Sequence, residues 1–225
     1  MTERQDEVEA PDYRSLPEWL VLKVINGVRK GTFVPGERML EKDLASRFGV
    51  SRAPVRDAMH RLENLGVLER PGPRGFCVTH WTADDRIEVL AIVDALILTS
   101  IQLALDRLTE EDFAALDAIV ASMRATLEAT GTVPDLSSQD ALFHRIIAVA
   151  SGNRRLLQLL DNLSVPLGLY GGTADYYSPE EWLSIHSALL DTLKLRDEDA
   201  AVAQFWKNRR ETMDILLRSS RDTSD

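Results

Sequence analysis

Apolar residues recur at helical spacing along most of the chain. In 16–31, Leu16, Leu20, Val24, Ile25 and Val28 form one stripe that Gly31 ends, which predicts a helix. Pro35 and Gly36 mark a turn. Residues 40–49 place Leu40, Leu44, Ala45 and Phe48 on one face, with Gly49 as the stop. A third stripe runs from Arg52 to about Asn64 through Val55, Ala58, Met59 and Leu62, with Leu65 continuing it and Gly66 closing the helix. Ser51 stands where an N-cap belongs, and Pro54 falls in the first turn, where its missing N–H costs nothing. Two short β-prone runs then flank a Pro-Gly-Pro-Arg-Gly stretch at 71–75, a hairpin signal. Three helices, a tight turn before the third and a hairpin predict a winged helix-turn-helix over 13–81, with 1–12 as a disordered tail.

Beyond Thr82 the pattern stays helical. Thr82 caps an expected helix over 84–108, Thr109 caps the next, and Gly131 ends it. Pro134 opens a helix that Gly152 stops, and 153–170 reads as helical with a kink or break near Pro166. Ser178, Pro179 and Glu181 spell a capping box, and Asp197 opens a last helix to about Arg218. The fold class is therefore mainly α: the winged domain followed by an all-α bundle over 82–220. The longest apolar stretch, 89–105, is broken by Asp94, Thr99, Ser100 and Gln102, which suits a buried helix better than a membrane span.

Charge changes the picture. The chain carries a formal net charge of −10, which by itself argues against nucleic acid. The charge is uneven, however. Residues 14–80 hold 12 Lys and Arg against 7 Asp and Glu, whereas 81–225 hold 13 against 24. A basic module is joined to an acidic one, and only the basic one needs to meet phosphates. In a helix-turn-helix the start of the second helix of the motif meets base edges, and here that start carries Ser51, Arg52 and Arg56. Arg70 and Arg74 are placed on the wing. The lone Cys77 rules out an internal disulfide framework and points to a reducing cytosol.

These N-terminal residues resemble the DNA-binding domain of the GntR family of bacterial transcription regulators. The matching strings are PGE (35–37), DLA (43–45), GVSRAPVRDAM (49–59), LENLG (62–66) and RGFCV (74–78). The resemblance implies that Lys42, Arg52 and Arg56 contact double-stranded DNA and that Gly75 sits at the wing tip. The C-terminal string DALFHRIIAVASGNRRLL (140–157), with His186 and then RDEDAA (196–201), resembles the FCD domain of the FadR-like branch. That resemblance implies a helical domain that binds a small-molecule effector, a homodimer and, often, a divalent metal ion.

Asp140 and His144 are four residues apart, so both project from one helical face toward a single ion, and His186 lies on another helix. Zinc, nickel and manganese are the candidate ions. A further histidine is common in the family 22 residues beyond the position of His186, but residue 208 here is Asn, so Asn208 is a weak fourth ligand. The family also often carries an Arg and a Glu on the first FCD helix for a ligand carboxylate. Those positions fall on Val93 and Ile97, the candidate effector pocket, which points toward a more apolar ligand or one whose anion the metal holds alone. Tyr170, Tyr176, Tyr177 and Trp182 are candidates for a pocket mouth.

The resulting expectation is a non-enzymatic, cytoplasmic, ligand-responsive DNA-binding regulator that acts as a repressor. It is released from a palindromic operator by an effector, and it has no membrane partner. Two other readings stand beside it. One is a DNA-binding regulator with a degenerate, ligand-independent second domain. The other is a metal-dependent hydrolase around Asp140, His144 and His186, for which the chain offers no recognisable base or nucleophile set.

Overall fold

The computed structural model describes residues 15–72, 75–131, 136–170, 178–207 and 209. The expected tail, Arg74, Pro134, Tyr176, Tyr177 and Asn208 lie outside the described residues, as does the side chain of Tyr170. The chain divides into two compact units, Met1–His80 and Trp81–Asp225.

In the first unit, α1 (Leu16–Arg29), α2 (Glu41–Phe48) and α3 (Arg52–Asn64) follow the stripes read from the sequence. α1 buries Trp19, Leu20, Val24 and Ile25. It packs on α3, which buries Val55, Ala58, Met59 and Leu62. Each such side chain, fully buried, contributes roughly 1.5–3 kcal/mol. Gly49 closes α2 at φ 66°, the left-handed conformation that lets the chain turn directly into α3. Ser51 occupies the N-cap position of α3, but its hydroxyl makes no cap hydrogen bond, contrary to expectation.

The wing differs from the expected hairpin. Its sheet has three strands, β1 (Arg38–Met39), β2 (Leu68–Glu69) and β3 (Phe76–Val78), in the order β1-β3-β2. Both pairings are antiparallel, with Arg38 opposite Cys77 and Leu68 opposite Val78. β1 is too short to show alternation. It is held from outside its own span: Gly36 N–H donates to the Val78 carbonyl, and Val78 N–H donates to the Glu37 carbonyl.

The second unit is helical throughout its described residues: α4 (Ala83–Ala104), α5 (Glu110–Thr130), α6 (Leu136–Ala150), α7 (Arg154–Tyr170), α8 (Pro179–Leu195) and α9 (198–207). Three capping boxes start α4, α5 and α8, where Thr82, Thr109 and Ser178 accept from Asp85, Asp112 and Glu181 as their sequence spacing predicts. α4 packs on α6 and α7, and α5 on α6 and α8. Leu90, Ile97, Ile101, Leu116, Phe143, Ile147, Leu160 and Leu193 share one apolar core. α4 is long and apolar enough to cross a membrane by length and composition, but it carries part of this core and a buried Asp94.

Of the kink or break expected at Pro166, the break is absent, since α7 runs through it. Proline leaves the Asn162 carbonyl without its i+4 donor, but Leu156, Leu160 and Leu167 seat the helix in the core on both sides of that gap. At the end of α8, Arg196 adopts φ 53°. Its guanidinium donates to the carbonyls of Leu105 and Leu108, closing the turn between α4 and α5 from across the bundle.

Gly27 supplies a test of the first unit's packing. A Gly→Ala change inside a helix ordinarily stabilises by about 1 kcal/mol. Here a Cβ would lie 2.4 Å from the ring of Phe33, which is itself buried. Gly27→Ala is therefore expected to destabilise by about 1–3 kcal/mol, read as a lowered urea midpoint.

Candidate nucleic-acid interface and metal centre

The turn into α3 sets the first site. Lys42 from α2, Arg52 and Arg56 from the first turns of α3, and Gly75 before β3 line one concavity, with Glu41, His60 and Arg70 beside them. Four of the proposed DNA contacts are thus brought together by three separate elements. Lys42 and Arg52 have no ion-pair partner among the described residues, so both charges are available to phosphate or base. Gly75 has φ 90°, a backbone conformation that favours glycine.

Arg56 is not a solitary surface charge. Its Nε and Nη2 donate to Glu41 Oε1 and Oε2 at 2.8 and 2.9 Å, a bidentate fork. The hydrogen bond from Arg56 holds the Glu41 carboxyl below its ordinary range, and the Arg52 charge adds to the effect. The fork occupies one edge of the guanidinium and leaves its Nη1 donors for DNA. Arg70 is also held. Its Nε lies 3.0 Å from Glu63 Oε1, it bonds the His60 ring, and its guanidinium covers Phe76 at 4.3 Å. It braces the sheet against α3.

The second site lies inside the bundle. Asp140 and His144 project from α6 and His186 from α8, with one ligand atom from each within 4.8 Å of the others. Asp140 Oδ1 stands 3.0 Å from His144 Nε2 and 3.2 Å from His186 Nε2. Both histidines are buried. His186 lies flat on Trp182 at 3.7 Å, and Phe143 meets its edge. Trp182 is itself buried, so it forms the floor under His186 and not the pocket mouth expected of it.

The protonation state of His186 decides what this cluster can hold. Its Nδ1 is 2.9 Å from the Trp182 carbonyl, and a carbonyl can only accept, so Nδ1 carries the proton. In the neutral ring Nε2 then presents a lone pair to Asp140. Burial pushes the His186 imidazole below its ordinary value, although Asp140 opposes this. Burial alone would raise the Asp140 carboxyl, but His144 and His186 together hold it well below the carboxylate range, so it is ionised. A lone pair and a carboxylate oxygen 3.2 Å apart repel, and either a proton on Nε2, which makes the ring cationic, or a bound cation relieves that repulsion. One carboxylate and two imidazoles fit a divalent ion such as zinc, nickel or manganese, with coordination positions left open. His144 Nδ1 is buried without a hydrogen-bond partner.

Two comparisons fix the kinship. The family description "Bacterial regulatory proteins, gntR family" matches residues 19–78, and "FCD domain" matches residues 88–207, more than half of the chain. The uncharacterized HTH-type transcriptional regulator YdhC of Bacillus subtilis is 30% identical over 174 residues, covering 76% of this chain and 77% of that protein. The chain belongs to the GntR family. It is a DNA-binding transcription regulator whose second unit is an FCD domain, and it is not an enzyme. The HTH-type transcriptional regulator McbR of Escherichia coli is 28% identical over 153 residues, covering 66% of this chain and 69% of that one. The solved E. coli McbR/YncC shares the fold with a TM-score of 0.71 at 24% identity, over 92% of this chain and 99% of that one. A GntR regulator from Rhodococcus sp. RHA1 shares it with a TM-score of 0.68 at 19% identity, over 89% and 97% of the two chains.

Within this GntR-family chain, Val93 and Ile97 lie in the apolar core, 6% and 3% exposed, packed among Leu90 and Ile101. The polar residue between them is the one with chemistry. Asp94 is buried, with its Oδ1 2.8 Å from Nε of the buried Arg209. Sequence reading noted Asp94 only as an interruption of an apolar run. A charge in the middle of such a run was the signal for a buried partner. Glu41 was missed because its partner Arg56 sits 15 residues away, beyond any helical spacing.

Two outcomes follow. Glu41→Gln removes the fork and one negative charge. Operator DNA is expected to lose roughly 5- to 150-fold of its preference over scrambled DNA, the worth of one bidentate contact, while scrambled DNA binds more tightly at low salt in fluorescence anisotropy. Asp140 contributes its stabilisation above the ordinary carboxylate value, and this is lost as pH falls below it. In metal-stripped protein, urea stability should therefore fall more steeply below about pH 4 in the wild type than in Asp140→Asn.

Proposed function

We propose that this regulator is a homodimeric repressor whose FCD domain holds a divalent ion on Asp140, His144 and His186, and whose effector, bound beside that ion, releases it from a palindromic operator. What supports the reading is the cluster of three candidate ligand atoms, with His186 Nε2 3.2 Å from Asp140 Oδ1 and His186 Nδ1 committed to the Trp182 carbonyl. Asn208 is the candidate fourth ligand, and an amide oxygen there favours a harder ion than a fourth imidazole would. When bound, the ion supplies a Lewis-acid position for an oxygen donor of the effector. The protein's own part is to fix the His186 ring by Trp182 stacking and the Trp182 carbonyl, and to pack Phe143 against both imidazoles.

Several features support dimeric repression. α4 exposes an uncharged stripe with Ala91, Ile92, Ala95, Thr99 and Leu103, in which Ile92 is 53% and Leu103 40% exposed. An apolar stripe of this kind suits a second copy of the same helix. Two winged domains on a dimer match two half-sites separated by about one helical turn of DNA. RspR of E. coli, 24% identical over 193 residues, is a transcriptional repressor by name. The effector acts by preferring the state that does not fit the operator, and each tenfold of release requires about 1.4 kcal/mol of that preference.

Titration of metal-stripped protein with Mn(II), Zn(II) or Ni(II) tests the centre. One ion per chain is expected, with a rise in Tm corresponding to about 2.7 kcal/mol at a hundredfold excess over Kd, and with both effects lost in His144→Ala. Operator release is then followed by gel shift across a broad metabolite collection. The absence of any bound ion would favour the degenerate, ligand-independent domain.

A further inference from the structure

Six polar or charged residues are buried among the described residues: Asp94, Ser100, His144, Ser151, His186 and Arg209. The two serines bond to nearby helix carbonyls. The other four gather in one part of the bundle. Asp94 belongs to the same electrostatic neighbourhood as the metal cluster: burial raises its carboxyl, the charges of Arg209 and His144 pull it down, and Asp140 pushes it up. α4, which carries Asp94, packs on α6, which carries Asp140 and His144.

The Asp94–Arg209 contact is close but incomplete. Arg209 Nε lies 2.8 Å from Asp94 Oδ1, yet that oxygen has no directed hydrogen bond. A guanidinium and a carboxylate can form two parallel bonds, as Arg56 and Glu41 do. Among the described residues Asp94 is the only polar partner of Arg209, whose guanidinium otherwise lies 5.5 Å from the Phe205 ring. Coulomb attraction joins the two charges, and most of their hydrogen-bonding capacity is unspent. They come from opposite ends of the unit's sequence, so a group inserted between them separates α4 from the last described segment.

We propose that Asp94 and Arg209 read the charges of the effector, and that the class they select is a small zwitterion carrying one ammonium and one carboxylate group. This rests on the reading above, in which the FCD domain takes an effector. The argument is charge balance in a buried site. A simple carboxylate that takes Arg209 strands Asp94, a buried anion in the field of Asp140. A simple amine that takes Asp94 strands Arg209. A zwitterion replaces one misaligned ion pair with two, its ammonium on Asp94 and its carboxylate on Arg209, and leaves no buried charge unpaired. Opening the pair also separates the segments it joins, which couples occupancy to the conformation of α4.

The test uses the full chain, loaded with Mn(II) and also metal-stripped. The probes are the common L-amino acids, each beside its des-amino carboxylate and its decarboxylated amine, and binding is read by calorimetry and operator release by gel shift. At least one amino acid is expected to bind the wild type ten or more times tighter than both of its partners. In Asp94→Asn that preference should collapse toward the des-amino acid, and in Arg209→Gln it should collapse toward the amine. The exchanged double variant, Asp94→Arg with Arg209→Asp, keeps the pair and should keep the preference for the zwitterion, with circular dichroism confirming the fold of each variant. A des-amino acid that binds the wild type as tightly as its amino acid overturns the proposal. So does operator release by other metabolites with no amino acid binding, a result that leaves the effector reading standing. Absence of binding and release by every compound in both collections removes both.

Discussion

A carboxylate set in an apolar bundle needs a positive partner, and the partly buried Asp140 sets this constraint on the FCD domain. Its charge sits between two imidazoles in a core of leucines, isoleucines and phenylalanine. The Trp182 carbonyl takes the one proton that neutral His186 has to give, so Nε2 cannot donate to Asp140 unless the ring is charged. A charged ring or a bound cation can each supply the compensating charge. α6 and α8 bring the three side chains together, with Trp182 under the His186 ring and Phe143 at its edge.

The same logic orders the other charges. Asp94 is a buried anion on a helix apolar enough to pass for a membrane span, and Arg209 stands against it. At the DNA-binding surface the costs are smaller because water is present, and pairing there serves orientation more than neutralisation. Glu41 fixes one edge of Arg56, and Glu63, His60 and Phe76 fix Arg70. Among the described residues Lys42 and Arg52 have no ion-pair partner. A surface meant to discriminate among DNA sequences gains from an arginine already held in place, since less side-chain entropy is lost on binding.

Much of the fold was legible because its signals are local. Each capping box needs only residues three apart, and each helical stripe only residues three or four apart, so Thr82, Thr109 and Ser178 announced their helices correctly. Local signals also misled. Pro166 reads as a kink or break, but packing on both sides carries α7 through it without a break. Ser51 reads as a cap, but its hydroxyl makes no such bond. β1 has two residues and owes its place to bonds made by Gly36 and Glu37 with Val78, which no alternation can reveal.

By itself the sequence determined the helix order, the winged motif, the placement of positive charge in 14–80 and the pairing of Asp140 with His144 on one face, all of which depend on composition and short spacing. Tertiary structure alone decided which distant charges meet: Glu41 with Arg56, Asp140 with His186 across 46 residues, and Asp94 with Arg209. The physical reason is range. Helical periodicity places neighbours within a turn of one another, whereas a buried ion pair is chosen by the fold of the whole bundle, which must bring each uncovered charge to the one partner that can compensate it.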